Sequence, residues 1–422
     1  MQVKSQWTLM TAVAVVFTMN TAYSQIGGNQ LIGKEGKVIT TTVPFLTITP
    51  DSRSGAMGDA GVATPADANS LHWNAAKLAW LDHDKMGALS YTPWLRTLVP
   101  DINLAYLSYA QKINNLSGFS FAMRYFSLGD IIFTNDFGQQ LKVVRPYELS
   151  LDGGYAQKLS SKFSIGIVGR FIYSNLAGRT TTASNQTTRP AFTGAGDISG
   201  YYKTPLKITD KNAILGLGFN ISNLGGKISY TSNLDRDFIP ANLRLGSYLN
   251  LDIDEFNQIG FALDFNKLLV PSQPIYALDS NGFLLRDPTG RPIIERGKSP
   301  DQSTLAGAIN SFTDAPNGFS EEIREINPSF GIEYWYNKQF AVRGGYFYEA
   351  PSKGNRQYAT FGIGIKYNIL GIDLSYIVPT NSAKTLTRSP LANTLRFTLS
   401  FALDNEKKAK TPPNAPAPLP EN

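Results

Sequence analysis

Residues 394–403 read Thr-Leu-Arg-Phe-Thr-Leu-Ser-Phe-Ala-Leu. Leu395, Phe397, Leu399, Phe401 and Leu403 form one row, and Thr394, Arg396, Thr398, Ser400 and Ala402 form the other. Alternation with period two is the signature of a β-strand, whose successive side chains point to opposite faces. The run is longer than the ~5–6 residues of an average globular strand. It matches the ~9–11 residues that a tilted strand needs to cross a bilayer.

The same pattern extends upstream. Phe119, Phe121, Met123 and Tyr125 alternate with Ser120, Ala122 and Arg124; Tyr147, Leu149 and Leu151 alternate with Glu148, Ser150 and Asp152. Phe163, Ile165, Ile167, Phe171 and Tyr173 share one row, as do Phe261, Leu263 and Phe265. The opposite rows mix Gly, Ser and Thr with charges such as Glu148, Arg170, Asp264, Glu333 and Arg343. An apolar row facing lipid and a small or charged row facing a lumen is what a membrane barrel requires. The expected fold is all-β, a transmembrane antiparallel β-barrel of about 14 strands.

The expected strands are 86–92, 102–112, 117–127, 145–158, 162–174, 193–204, 212–223, 241–252, 256–267, 328–337, 339–349, 356–368, 370–379 and 392–403. Long connections (93–101, 128–144, 175–192, 224–240, 268–327, 350–355, 380–391) alternate with short ones, of which 205–211 is the longest. Outer-membrane barrels have short periplasmic turns and longer outer loops. This parity puts every long loop outside and both termini in the periplasm.

Composition agrees. The charged fraction is 17%, against ~25% in soluble domains, and aromatic residues reach 12%. The net charge of +6 is spread along the chain without a basic run, so nucleic acid is not an expected partner. Lys4, the apolar stretch Thr8 to Met19 and Ala22-Tyr23-Ser24 read as a secretory signal peptide over 1–24. The chain has no cysteine, which excludes acylation as a lipoprotein, disulfides, thiolate metal sites and cysteine nucleophiles.

Residues 25–85 do not alternate and are read as an N-terminal plug. Ser54 to Ala63 is rich in small residues and suits tight packing in a lumen; Met57, Gly58, Gly61, Trp73 and Asn74 are its candidate residues. Gly216-x-Gly218 and Gly362-x-Gly364 lie inside strands, where glycine makes room for lumen or plug backbone. The loop 268–327 is too long to be idle; Ser320 to Ile326 reads as a short amphipathic helix. Phe312, Asp314, Pro316, Phe319, Glu321, Glu322 and Arg324 are the candidate partner-binding residues, with the Glu321-Glu322 pair read as solvated. The tail 404–422 is Lys- and Pro-rich and expected to be a disordered periplasmic extension.

No catalytic, metal-binding or cofactor constellation is legible. His72 and His83 are the two histidines; they fall in the plug region without an evident acidic or cysteine constellation. There is no nucleophile elbow, phosphate loop or zinc signature.

The run Ser54 to Ala63, followed by Ala68-Asn69-Ser70-Leu71-His72-Trp73-Asn74-Ala75-Ala76, resembles the start of FadL-type barrels, with Asn-Ala-Ala where that family has Asn-Pro-Ala. A closer resemblance is to the PorV (LptO) branch, outer-membrane components of the Bacteroidetes type IX secretion system. It is carried by Thr47 to Gly58, Ser311 to Phe319, Gly331 to Tyr336, Arg343 to Phe347 and Pro390 to Phe397. The resemblance implies a non-enzymatic secretion component that binds the C-terminal signal domain of cargo at the translocon barrel. It would then pass cargo to the cell-surface attachment complex. The alternatives are a FadL-like transporter of hydrophobic small molecules and an outer-membrane enzyme acting on lipid; the scarcity of histidine and the lack of any Ser/His or acid/base cluster weigh against the last.

Overall fold

The computed structural model describes residues 38–404 except 97–98, 100, 136, 177–187, 232–235, 281–282 and 381–390. The signal peptide 1–24 and nearly all of the tail 404–422 lie outside the described residues. In chain order the strands are β1 Lys85–Pro93, β2 Ile102–Lys112, β3 Ser117–Leu128, β4 Ile131–Thr134, β5 Gln140–Val144, β6 Tyr147–Lys158, β7 Phe163–Asn175, β8 Ala191–Ile208 and β9 Lys211–Gly225. They continue as β10 Asn242–Asp252, β11 Asn257–Leu268, β12 Ile275–Tyr276, β13 Ile294–Arg296, β14 Ile326–Tyr336, β15 Phe340–Tyr348, β16 Gln357–Tyr367, β17 Leu370–Pro379 and β18 Leu395–Leu403.

Fourteen of these close an antiparallel ring in which each strand pairs with its neighbours in the chain, and β1 pairs with β18 to seal it. Closure leaves no strand edge in lipid, where an unpaired peptide group costs several kcal/mol. The alternation sorts the side chains as expected. On β18, Leu395, Phe397 and Leu403 are exposed on the outer wall, while Arg396 and Thr398 are buried inward. Tyr125, Tyr147 and Tyr173 stack at 5.8 Å spacings near the long-connection rim. Tyr109, Tyr155 and Tyr336 sit exposed near the short-turn rim. Amphipathic rings at both levels are the interfacial girdles of a membrane barrel.

Three details differ from the expectation. The 205–211 connection is not a loop: β8 and β9 stay paired to Ile208↔Lys211, and the chain turns at Thr209 and Asp210, both at positive φ. Pro205 reads as a strand breaker, but the β7 ladder ends at Phe163↔Tyr202. Pro205 therefore sits where β8 has one neighbour and its missing N–H is not needed. The 128–144 connection carries the β4–β5 hairpin. The last strand begins at Leu395 rather than 392.

Inside the ring runs the segment from Val38 to Asp84, built of two single-turn helices, α1 (Ser52–Gly55) and α2 (Ser70–Trp73), and two 3-10 turns, Pro44–Thr47 and Ala75–Trp80. Helix α1 packs against β16, β17 and β18, and the second 3-10 turn against β2, β3, β6, β7 and β8. Phe45, Met57, Leu71, Trp73 and Leu78 are buried there. The wall makes room with glycine. A Cβ on Gly218 would lie 2.8 Å from the Val62 carbonyl oxygen, and one on Gly362 would lie 2.4 Å from Ala56 Cβ.

Candidate functional site

The connection between β11 and β14 is the largest built structure at the long-connection rim. It holds the small β12–β13 sheet and two helices, α3 (Thr304–Asn310) and α4 (Phe319–Arg324). Ser303 caps α3, its Oγ accepting from Ala306 N at 3.3 Å. Gly318, at φ 73°, starts α4, a backbone position that favours glycine.

The loop is tied down by charge. Lys267, at the end of β11, donates to Glu322 at 3.1 Å and to Glu325 at 2.5 Å. Lys353, from the β15–β16 connection, donates to Glu321 at 2.6 Å and Glu325 at 2.9 Å. Ser272 Oγ donates to Glu325 at 2.5 Å, and Ser272 N to Asp314 at 3.1 Å. The same carboxylates satisfy the backbone, accepting from Ala315 N at 2.8 Å and Asn317 N at 3.0 Å. Three chain segments thus meet in one cluster of buried, paired charge. A pair of this kind contributes little net stability over apolar packing, but losing one member leaves an uncompensated buried charge.

The cluster corrects the reading of Glu321-Glu322 as solvated: both are buried against lysine. It also divides the seven candidate partner-binding residues. Asp314, Glu321 and Glu322 point inward, Pro316 is half-buried, and Phe312, Phe319 and Arg324 are exposed. Burial raises the Asp314 carboxyl to about 6, and the neighbouring Glu322 and Glu325 charges add to this against the Ser272 N–H. Burial also works to raise Glu321, yet the Lys353 ammonium and the Asn317 N–H hold it below its ordinary value.

With its carboxylates turned in, α4 turns apolar residues out, and α3, seated on Gly307 and Ala308, does the same. Phe319 is 79% exposed and Ile323 51%, one turn apart on α4; Leu305 and Ile309 are each 66% exposed, one turn apart on α3. Leu305, Ile309 and Ile323 were not among the sequence candidates, although their i,i+4 spacing is the signal that groups them. A solvent-facing loop helix normally shows the reverse arrangement. Between α4 and the outer wall lies an apolar groove of about 230 Å³ lined by Leu243, Leu245, Phe265, Phe312, Phe319 and Ile323.

The five plug candidates are all inside the ring. Met57 lies against Gly331, Gly58 N donates to Thr360 Oγ1 at 2.8 Å, and Gly61 N donates to Asp264 at 2.7 Å. Trp73 Nε1 donates to Asp51 at 2.7 Å. Asn74 bridges the carbonyls of Val62 and Gly200 at 3.1 and 3.0 Å. Arg53 joins the wall through Glu333, which Arg343 also holds at 2.5 Å. His72 is buried with Nδ1 2.6 Å from Arg124, and His83 pairs with Asp404 at 3.0 Å. Among the described residues no group of three or more His, Cys, Asp or Glu side chains is placed to hold a metal ion.

Against known proteins, the family profile described as "Type IX secretion system protein PorV" matches residues 32–275. No curated protein matches the chain. Among solved structures, the chain is similar to the Pseudomonas putida toluene transporter TodX at 14% identity and TM-score 0.45, over 83% of this chain and 96% of that one. It is similar to the Ralstonia pickettii toluene transporter TbuX at 12% identity and TM-score 0.45, covering 83% and 97%. It is also similar to a Pseudomonas aeruginosa FadL homologue at 12% identity and TM-score 0.41, covering 86% and 98%.

Proposed function

The chain belongs to the PorV family of type IX secretion system proteins, and from that premise we propose that it is a non-enzymatic outer-membrane component that receives secreted cargo through the cargo's C-terminal signal domain. In this reading the translocon barrel hands cargo to it, and it passes cargo to the cell-surface attachment complex. The long-connection rim faces the cell exterior, and both termini are periplasmic.

The observation that carries the proposal is the outward apolar side of α3 and α4. Buried Glu321 and Glu322 anchor α4, Gly307 and Ala308 seat α3, and Leu305, Ile309, Phe312, Phe319 and Ile323 stand exposed. Large apolar side chains exposed on a rim mark a surface that another protein covers. It is presented on a loop that a rigid scaffold holds in place. Transport of hydrophobic small molecules has less support. A lumenal cavity of about 400 Å³ carries Arg53, Asp67, Lys203, Glu333 and Lys366 beside Met86, Tyr201, Ile214 and Phe401, so an apolar molecule would meet several charges in it.

The test is a Phe319→Ser, Ile323→Ser double variant in the intact chain. The variant should insert as a barrel with the same electrophoretic heat-modifiability as the parent, and recovery of cargo from mildly solubilised membranes should fall at least tenfold. Undiminished cargo recovery would remove α4 from the contact surface.

A further inference from the structure

Most buried arginines of the lumen sit beside a carboxylate. Arg170 is 2.8 Å from Asp152 and 3.1 Å from Asp197; Arg343 is 2.5 Å from Glu333; Arg396 is 3.4 Å from Asp59. Arg244 on β10 departs from this rule. It is 6% exposed, and among the described residues no carboxylate lies within 4 Å of it. Its Nε donates to Asn266 Oδ1 at 3.1 Å and its Nη1 to the His72 carbonyl at 3.2 Å. Trp73 covers one face of the guanidinium, 5.1 Å from ring centre to Cζ. Nη2 has no hydrogen-bond partner among the described residues.

The guanidinium borders a cavity of about 80 Å³ that Asn242, Asn266, Asn327, Thr47 and Thr49 also line. The cavity adjoins a larger one of about 290 Å³ at the long-connection rim, sharing Thr47, Leu268, Asn327 and Arg356 with it. The carboxylates that face it are already engaged: Asp59, which lines the same cavity, by Tyr358 and Arg396, Asp264 by Gly61 N and Val62 N, and Asp197 by Arg170. The next cation inward, Arg124, adds positive charge; it is held by the carbonyls of Phe45 and Leu46 at 3.1 and 2.7 Å and by His72.

A guanidinium withdrawn from water without a counter-charge is costly. Amide and carbonyl dipoles offset only part of that cost. A planar fork with one edge free is the geometry that accepts a carboxylate or phosphate oxygen. The space is several times what one water needs, and the Asn266 amide nitrogen can donate to a remaining oxygen.

We propose that Arg244, with the Asn266 amide, forms an oxyanion-binding site that takes a carboxylate or phosphate group entering from the long-connection rim. Two sources share this chemistry: a small free anion, or the terminal carboxylate of a peptide. The proposal does not rest on the secretion reading.

The experiment uses the full chain in detergent, titrated calorimetrically with acetate, inorganic phosphate, and a short peptide bearing either a free or an amidated C-terminus. Saturable binding is expected in the parent. It should be at least tenfold weaker in Arg244→Gln and within a few-fold of the parent in Arg244→Lys, which keeps the charge. In anion-free, low-salt buffer Arg244→Gln should unfold at an equal or higher urea concentration than the parent, because an uncompensated charge has been removed. Tighter binding of the free-terminus peptide than of its amide identifies a polymer terminus as the source; equal binding of acetate identifies a small anion, and either supports the site. Absence of saturable binding in the parent, or binding undiminished in Arg244→Gln, overturns it.

Discussion

The lumenal segment and the β11–β14 connection are both ordered by the barrel, but by different physics. The first is held chiefly by shape, with charged ties at Arg53–Glu333 and Asp59–Arg396. Its backbone approaches the wall so closely that glycine is required opposite it, and its N–H groups enter wall side chains such as Asp264 and Thr360. The second is held by charge, through Lys267 and Lys353 reaching Glu321, Glu322 and Glu325. Shape fit of this kind has no adjustable part, since a packed interior tolerates few extra atoms. A charge cluster between separate segments is set by protonation and by the survival of each partner. The contrast separates a fixture from a latch.

The sharpest way to break the contrast is to remove the fit. A Cβ at position 345 would lie 2.1 Å from Gly58 N and 2.2 Å from Met57 C, both backbone atoms. Gly345→Ala is expected to destabilise the barrel by about 3 kcal/mol or more, the upper range of overpacking. The expected outcome is a large loss of folded, heat-modifiable barrel after refolding, read by gel mobility and urea midpoint. A parental midpoint would mean the lumenal segment can withdraw.

The latch should fail locally. Lys353→Met leaves Glu321 and Glu325 each short of a buried partner, a loss of about 3 kcal/mol on the scale of broken buried pairs. Limited proteolysis should cut within 297–325 at least tenfold faster, while the barrel's urea midpoint moves little. Loss of the whole barrel would show that loop and ring are one cooperative unit.

The smallest effect is the pH response of the latch. Asp314 titrates near 6 in the folded loop, above the ~3.9 of an unfolded chain. Its protonated form is therefore favoured by folding, and that stabilisation is lost as pH rises through 6. Glu321 is held below its ordinary value, so its contribution persists above about 4.5 and is lost only in stronger acid. Hydrogen-exchange protection of Gly307–Glu325, corrected for intrinsic rates, should rise a few-fold from pH 7.5 to 5. Asp314→Asn should flatten the profile.

How much of this was legible follows the same division. Period-two alternation reports directly which side faces lipid, so the strands could be placed from residues such as Phe397 and Arg396. The glycines of β9 and β16 could be read as space for a plug because a missing side chain inside a strand has few other uses. The β4–β5 hairpin, with Ile131, Ile132, Val143 and Val144 flanking a turn, carried a strand signal within a stretch treated as plain loop. The latch was not legible. Lys267 and Lys353 are 58 and 28 residues from Glu325, and nothing local marks a glutamate that will find a distant lysine. Inward carboxylates then reverse the face of α4, so sequence reasoning named the buried Glu321 and Glu322 alongside the exposed Phe319 and passed over the exposed Leu305, Ile309 and Ile323.

Pairing of β1 with β18 joins residues 85–91 to residues 397–403, so the ring shuts only when its last strand arrives. The segment it encloses precedes β1 in the chain and is pinned by contacts narrower than a methyl group. It has to be seated while the sheet is still an open ribbon, because no bulky residue could thread those gaps afterwards. Assembly is therefore ordered in time: contents first, seam last.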